Sequence, residues 1–169
     1  MIQIEKANLT HVQGISAVCA AGYRATYSDT HTNEYIERVI KEFYDPVRIA
    51  VEVANISKDW GGYYVALDNG HVVGAGGGGM ISDSTAEIYV LYMDPSRRNE
   101  GIGTKLLDAI TNRQKAEFNA NEQWVSVQKG NTKGIPFYEA RGFHLKHEQN
   151  GYANEEEENY ISLRYFRKI

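Results

Sequence analysis

Cysteine is nearly absent. Cys19 is the only one in 169 residues, so an internal disulfide is excluded, and no Cys/His spacing has the form of a zinc site. Basic residues are not in excess either. Lys and Arg number 18 against 22 Asp and Glu, for a net charge of −4 with His neutral. A duplex-binding protein needs clustered Lys and Arg to neutralise phosphates, and this chain has no such cluster. Long apolar runs are missing: none approaches the ~20 residues that span a bilayer. Met1-Ile2-Gln3-Ile4-Glu5-Lys6 has neither the basic start nor the apolar stretch of a signal peptide. The expectation is a cytoplasmic protein with no metal, no nucleic-acid partner and no membrane partner. The five His, at 11, 31, 71, 144 and 147, show no nucleophile or ligand spacing.

What is present suits one domain over residues 1–169, since 42% of the residues are apolar. The chain reads as a short strand at Ile2 and Ile4, then three helices. Thr10 with Gln13 has the form of a capping box, and Gly22 is a natural stop for the first helix. Tyr35, Ile36, Val39, Ile40 and Phe43 mark the second helix, ending before Pro46, and residues 46–58 suggest a third. From Trp60 the period changes to strands. Tyr63 to Leu67, the turn Asp68-Asn69-Gly70 and His71 to Gly79 form a hairpin. A third strand runs from Ala86 to Met93. Then come a helix from Gly101 to about Phe118, a strand at 124–127, a helix at 132–141 closed by Gly142, and strands at Phe143–Gln149 and Tyr160–Arg167. A hairpin-rich sheet that continues into βαβ units implies a mixed α/β fold with helices on its faces.

Chemistry concentrates after the third strand. Arg98-Asn99-Glu100-Gly101-Ile102-Gly103-Thr104 opens a long amphipathic helix. Free N–H groups at a helix start, with the dipole behind them, favour an anion. Glycines at 101 and 103 would let a pyrophosphate approach the backbone, and Thr104 adds a hydroxyl. Tight packing of a glycine-rich helix start is the plainer alternative. Gly74-Ala75-Gly76-Gly77-Gly78-Gly79 satisfies Gly-x-Gly-x-x-Gly, but Met80 to Thr85 is no amphipathic helix, so a dinucleotide site is disfavoured. That run is either a strand without bulk or a device that widens an acceptor cleft.

Arg98-x-x-Gly101-x-Gly103 after a strand resembles motif A of the GNAT N-acetyltransferases. Asn131, with Phe137-Tyr138-Glu139-Ala140-Arg141-Gly142-Phe143, resembles the second block of the same superfamily, in the expected order. The resemblance implies a six- to seven-stranded mixed sheet, splayed open near Met93. It implies acetyl-CoA as co-substrate and transfer of the acetyl group to a primary amine by direct attack. The cofactor would lie on the backbone of Leu91, Tyr92 and Met93 and on the N–H groups of Arg98, Asn99, Glu100, Gly101, Ile102, Gly103 and Thr104. Glu100 departs from the family's usual basic or neutral residue.

By the same resemblance Tyr138 is the general acid. A phenol of pKa near 10 can protonate a thiolate whose thiol titrates at roughly 8.5 to 10. Among 12 Tyr, a core role is the alternative. Asn131 is either a cofactor contact or a helix-start cap. Glu87 is either the general base or a solvent-facing strand residue. Tyr89 and Tyr92 would wall the substrate. Glu155 to Glu158 would either attract a polycation or form a solvated turn. The ending Ile135-Pro136-Phe137-Tyr138 also looks like bacterial small-amine enzymes, including the spermidine/spermine type. A small-molecule or protein amine is the expected partner, and a homodimer is compatible with the resemblance. A non-catalytic acyl-CoA-binding or regulatory module is the alternative reading.

Overall fold

In the computed structural model, which describes residues 1–155 and 157–169, seven strands among the described residues join one sheet. The elements are β1 Ile2–Lys6, α1 Val12–Tyr27, α2 Asn33–Phe43, α3 Pro46–Ala54, β2 Tyr63–Asp68, β3 His71–Met80, β4 Thr85–Met93, α4 Ile102–Phe118, β5 Glu122–Gln128, α5 Gly134–Ala140, β6 His144–Asn150 and β7 Ile161–Lys168. The strand order is β1-β2-β3-β4-β5-β7-β6. Every neighbouring pair is antiparallel except β4 with β5. No helix of the described residues is long and apolar enough to cross a membrane.

The β2–β3 hairpin forms as its sequence suggests. Asn69 (φ 50°) and Gly70 (φ 80°) both take positive φ, the type I′ geometry that matches strand twist. Asp45 accepts the Val47 N–H with Pro46 in the first helical turn, which starts α3. The start of α1 differs from expectation. Asn8, not Thr10, is the cap, closing a 3-10 turn at Leu9–His11 in which the Asn8 N–H donates to His11 Nδ1 at 3.1 Å. Gly22 does not stop α1 either. It lies inside the helix, where a Cβ would come within 3.0 Å of the Tyr92 side chain, so its use is close helix–sheet approach.

Two layers of side chains cover the sheet. On one face α1, with α2 and α3 packed on it, buries Ile15, Val39, Tyr35 and Ile49 against Val65, Ala75 and Val90. On the other, α4 sets Ile102 and Leu106 against Ala66 and Val73, and Leu107 joins Tyr138 and Phe143 around Ile88 and Val125. The glycine run belongs to this packing. A Cβ on Gly74 would fall 2.7 Å from Ile102, one on Gly77 2.6 Å from Trp60, and one on Gly79 1.9 Å from the Asp59 carbonyl. These glycines therefore admit helix α4 and the segment before β2. They do not widen an acceptor cleft, as one of the two sequence readings had it.

The feature that positions the site is a break in β4. Gly77 pairs with Val90 and Gly78 with Ile88, so Tyr89 is an extra residue with no partner in β3. A bulge of this kind bends and over-twists its strand. Pairing of β4 with β5 runs from Thr85–Glu122 to Ile88–Val125 and ends there, while β5 continues against β7 to Gln128. The sheet thus opens at Tyr89, four residues earlier than the expected Met93.

Candidate active site

Beyond the bulge, β4 keeps β3 on one side and has open space on the other. The Asp94 N–H donates to the Val73 carbonyl at 2.9 Å. Backbone direction alternates along a strand, so Tyr92 also faces β3, while Leu91 and Met93 turn their polar groups into the opening. Of the three backbones expected to hold a cofactor, Leu91 and Met93 are free to do so. Tyr92 contributes its side chain instead.

A cleft of about 180 Å³ occupies this opening, and Leu91, Met93, Arg98, Asn131, Phe137 and Tyr138 are among its walls. Asn99, Glu100, Gly101, Ile102, Gly103 and Thr104 form the turn and first helical residues beside it. Gly101 caps α4 at φ 76°, in the left-handed region that favours glycine, and no side chain caps the helix. The first N–H groups of α4 are therefore left for another acceptor. Gly103 serves a different end. It is buried, and a Cβ there would stand 2.7 Å from Met93 Cε and 3.2 Å from the Phe137 ring. Tight packing, rather than a clear path for phosphate, explains this glycine. Ile102 is fully buried against the sheet, so only its backbone faces the turn.

Charge at the turn is sorted by pairing. Arg97 binds Glu100 at 2.7 and 2.8 Å and Asp68 at 2.9 Å, which ties the turn to the β2–β3 hairpin. The guanidinium holds the Glu100 carboxyl below its ordinary range. The departure at Glu100 is thus neutralised locally, and Arg98 is left to face the cleft. Arg141, which the sequence reading passed over, donates from Nε to Thr104 Oγ1 at 3.2 Å and lies 3.8 Å from the Phe137 ring centre. It brings a second cation to the start of α4. Its only sequence signal was its place between Ala140 and Gly142 in the second motif.

Tyr138 is 8% exposed and reaches the cleft from α5. Burial pushes its phenol above the ordinary tyrosine value, with the Arg141 charge working the other way. Asn131 also lines the cleft, but its Oδ1 accepts the Gly134 N–H at 2.7 Å. That bond closes the turn leading into α5, whose cap position, Lys133, has no side-chain cap.

Glu87 is bound on both oxygens by Arg164, at 2.8 and 3.0 Å, and each side chain of the pair is 14% exposed. It is neither solvent-facing nor free. Its charge is already neutralised by a guanidinium, which makes it a weaker base toward an ammonium. Glu155 and Glu158 fold back on Arg38 of α2, at 3.5 and 2.5 Å, and Glu156 lies outside the described residues. Cys19 is fully buried, and its thiol is pushed well up by that burial.

A second, larger cavity of about 600 Å³ meets the cleft at the bulge. Tyr27, Tyr89, Val90, Tyr92 and Ser126 belong to the walls of both. Its far end is built by α2, α3 and the segments before β2 and β7, through Phe43, Tyr44, Glu52, Trp60 and Tyr152. None of these was singled out as a site residue in the sequence. The one available hint was the number of tyrosines.

The Acetyltransferase (GNAT) family profile matches residues 23–143. The chain belongs to the GNAT family. It is 35% identical over 104 residues to an uncharacterized N-acetyltransferase of Methanocaldococcus jannaschii, covering 57% of this chain and 45% of that protein. The match thus spans under half of the relative's length. Among solved structures, the PaiA N-acetyltransferase of Thermoplasma acidophilum, in complex with coenzyme A, superimposes with a TM-score of 0.83 at 22% identity, covering 100% of this chain and 99% of that one. The ribosomal-protein-S18-alanine N-acetyltransferase of Escherichia coli gives 0.70 at 15% identity, covering 100% and 94%. At these identities the likeness is one of fold.

Proposed function

We propose that the protein transfers an acetyl group from acetyl-CoA to the primary amine of a small molecule. The observation that carries this reading is the meeting of the two cavities at the β4 bulge, with Tyr138 on the wall of the first. The residues present fit the cofactor. Leu91 and Met93 offer unpaired backbone groups to an extended amide chain. The uncapped start of α4, with Arg98 and Arg141 beside it, suits a pyrophosphate. Acetyl-CoA supplies the activated acyl group as a thioester.

This chain's residues then have three tasks. The bulged segment from Tyr89 to Tyr92 orients an amine that arrives from the second cavity. Tyr138 donates its O–H proton to the departing sulfur. The Glu87–Arg164 pair forms part of the second cavity's wall and orients what enters it, while the amine loses its proton to water in the open cleft. A cavity of about 600 Å³ walled by aromatic rings suits a small amine, in line with the bacterial small-amine resemblance.

A second reading, a non-catalytic acyl-CoA-binding module, draws on the occupied oxygens of Glu87. The two separate in one assay, thiol release from acetyl-CoA across a panel of amines. Turnover with at least one small amine is expected. Acetyl-CoA binding without turnover for every amine would favour the binding module.

A further inference from the structure

The Glu87–Arg164 pair does more than neutralise itself. A pair largely removed from water gains little stability once desolvation is counted, so its place in the wall calls for another reason. The guanidinium has a third bond. Its Nη1 donates to Ser126 Oγ at 2.7 Å as well as to Glu87 at 3.0 Å, and its Nη2 donates to Glu87 at 2.8 Å. The Trp124 ring centre lies 5.1 Å from the guanidinium carbon and covers one face of it. Ser126 pairs with Arg164 across β5 and β7, and Glu87 pairs with Trp124 across β4 and β5. Three adjacent strands thus fix one hydroxyl.

That hydroxyl stands where the two cavities meet. Pairing of β4 with β5 ends at Ile88–Val125, so Ser126 is the first β5 residue beyond it, and the register carries it to the level of Tyr89. It lines both the cleft and the aromatic cavity. The other shared residues with a polar side-chain atom are Tyr27, Tyr89 and Tyr92. Each of those carries its hydroxyl at the far end of a ring, whereas the Ser126 oxygen sits one bond from Cβ. With a single torsion and a charged donor already on its oxygen, Ser126 has its direction set before any ligand arrives.

A hydroxyl offers two acceptor sites and one donor. Arg164 fills one acceptor site, and among the described residues it is the one partner of this oxygen. The remaining acceptor site suits an N–H. A neutral primary amine has two N–H groups and one lone pair, so holding an N–H limits where the lone pair can point. We propose that Ser126 Oγ accepts an N–H of the reacting amine and aims its lone pair at the acetyl carbon, while Arg164 and Glu87 hold the hydroxyl in place. This rests on the acetyltransferase reading and deepens it. The amine's proton still leaves to water, so Ser126 orients the nucleophile and takes no proton.

Acetylation of n-butylamine, 1,4-diaminobutane, 2-phenylethylamine and glycinamide by the unmodified protein, Ser126→Ala and Ser126→Thr tests the assignment. In Ser126→Ala, kcat/KM for the best of these amines should fall about ten-fold, the size of one hydrogen bond. Its dissociation constant for acetyl-CoA should stay within about two-fold, which also shows that the variant is folded. Ser126→Thr keeps the hydroxyl and should recover kcat/KM to within about three-fold of the unmodified protein. Unchanged kcat/KM in Ser126→Ala would overturn the proposal, as would a Ser126→Thr no better than Ser126→Ala. A loss of acetyl-CoA affinity as large as the loss in kcat/KM would also overturn it, because the effect would then be structural. If the unmodified protein acetylates none of the four amines, the transferase reading fails and takes this proposal with it. Turnover that is indifferent to Ser126 overturns this proposal alone.

Discussion

The two cavities that meet at Tyr89 are made of different material. The cleft is mostly backbone: the free edge of β4, the uncapped start of α4 and the turn held by Arg97. The aromatic cavity is mostly side chain, gathered from α1 to α3, β2, β4 and the segment before β7. Backbone groups are the same in every sequence, so a site made from them tolerates wide change around a few fixed glycines. Side chains must be chosen one by one, and that is where an acceptor is distinguished. A GNAT fold shared at 15–22% identity is consistent with this division, since the fold can persist while the aromatic walls vary.

The strongest way to break the comparison is Tyr138→Phe. Tyr138 is the one side chain on the cleft assigned a chemical step. Removing its hydroxyl keeps the ring, so packing should change little. We expect kcat to fall about 10²–10⁴-fold, with KM for acetyl-CoA moving much less. Because burial holds the phenol above its ordinary value, the unmodified protein should show no phenol-driven loss of kcat up to about pH 10. A near-normal kcat in the variant would mean that backbone and water suffice in the cleft.

The two glycines of the α4 start sharpen the contrast within the cleft itself. Gly103→Val drives a branched side chain into Met93 and Phe137. It should cost about 1–3 kcal/mol of stability by overpacking and weaken acetyl-CoA binding about ten-fold or more through the displaced wall. Gly101→Ala meets no atom within 4 Å but must hold a left-handed φ, at a cost of about 1–2 kcal/mol. Denaturant melts and acetyl-CoA titration of both variants check this. A Gly103→Val with unchanged stability and unchanged affinity would leave Gly103 without either role.

The smallest effect on turnover is expected from Glu87→Gln, on the side-chain cavity. Leaving Arg164 without its carboxylate should cost about 1–3 kcal/mol in stability, while kcat falls less than about ten-fold. Stopped-flow turnover and thermal melts separate these. A kcat loss of about 10²-fold or more without loss of stability would make Glu87 the general base after all.

Much of this protein was determined locally by its sequence. The Asn69-Gly70 turn needs two residues tolerant of positive φ, and they are there. Apolar spacing set α2 and α4, and a strand followed by Arg98-x-x-Gly101-x-Gly103 marked the anion-ready helix start. The second motif marked Tyr138 and Asn131. These features depend on residues within one or two turns of each other, so no distant partner is needed to read them. Tertiary structure decided the rest. Gly22 continues a helix because Tyr92 lies across from it, and Gly103 is small because Met93 and Phe137 converge on it. The run from Gly74 to Gly79 admits α4 and Trp60, and Glu87 is occupied because β7 brings Arg164 alongside. The aromatic cavity has no local trace at all. Its rings come from six segments between Tyr27 and Tyr152, and only the packing of helices on a broken sheet turns scattered tyrosines into one wall.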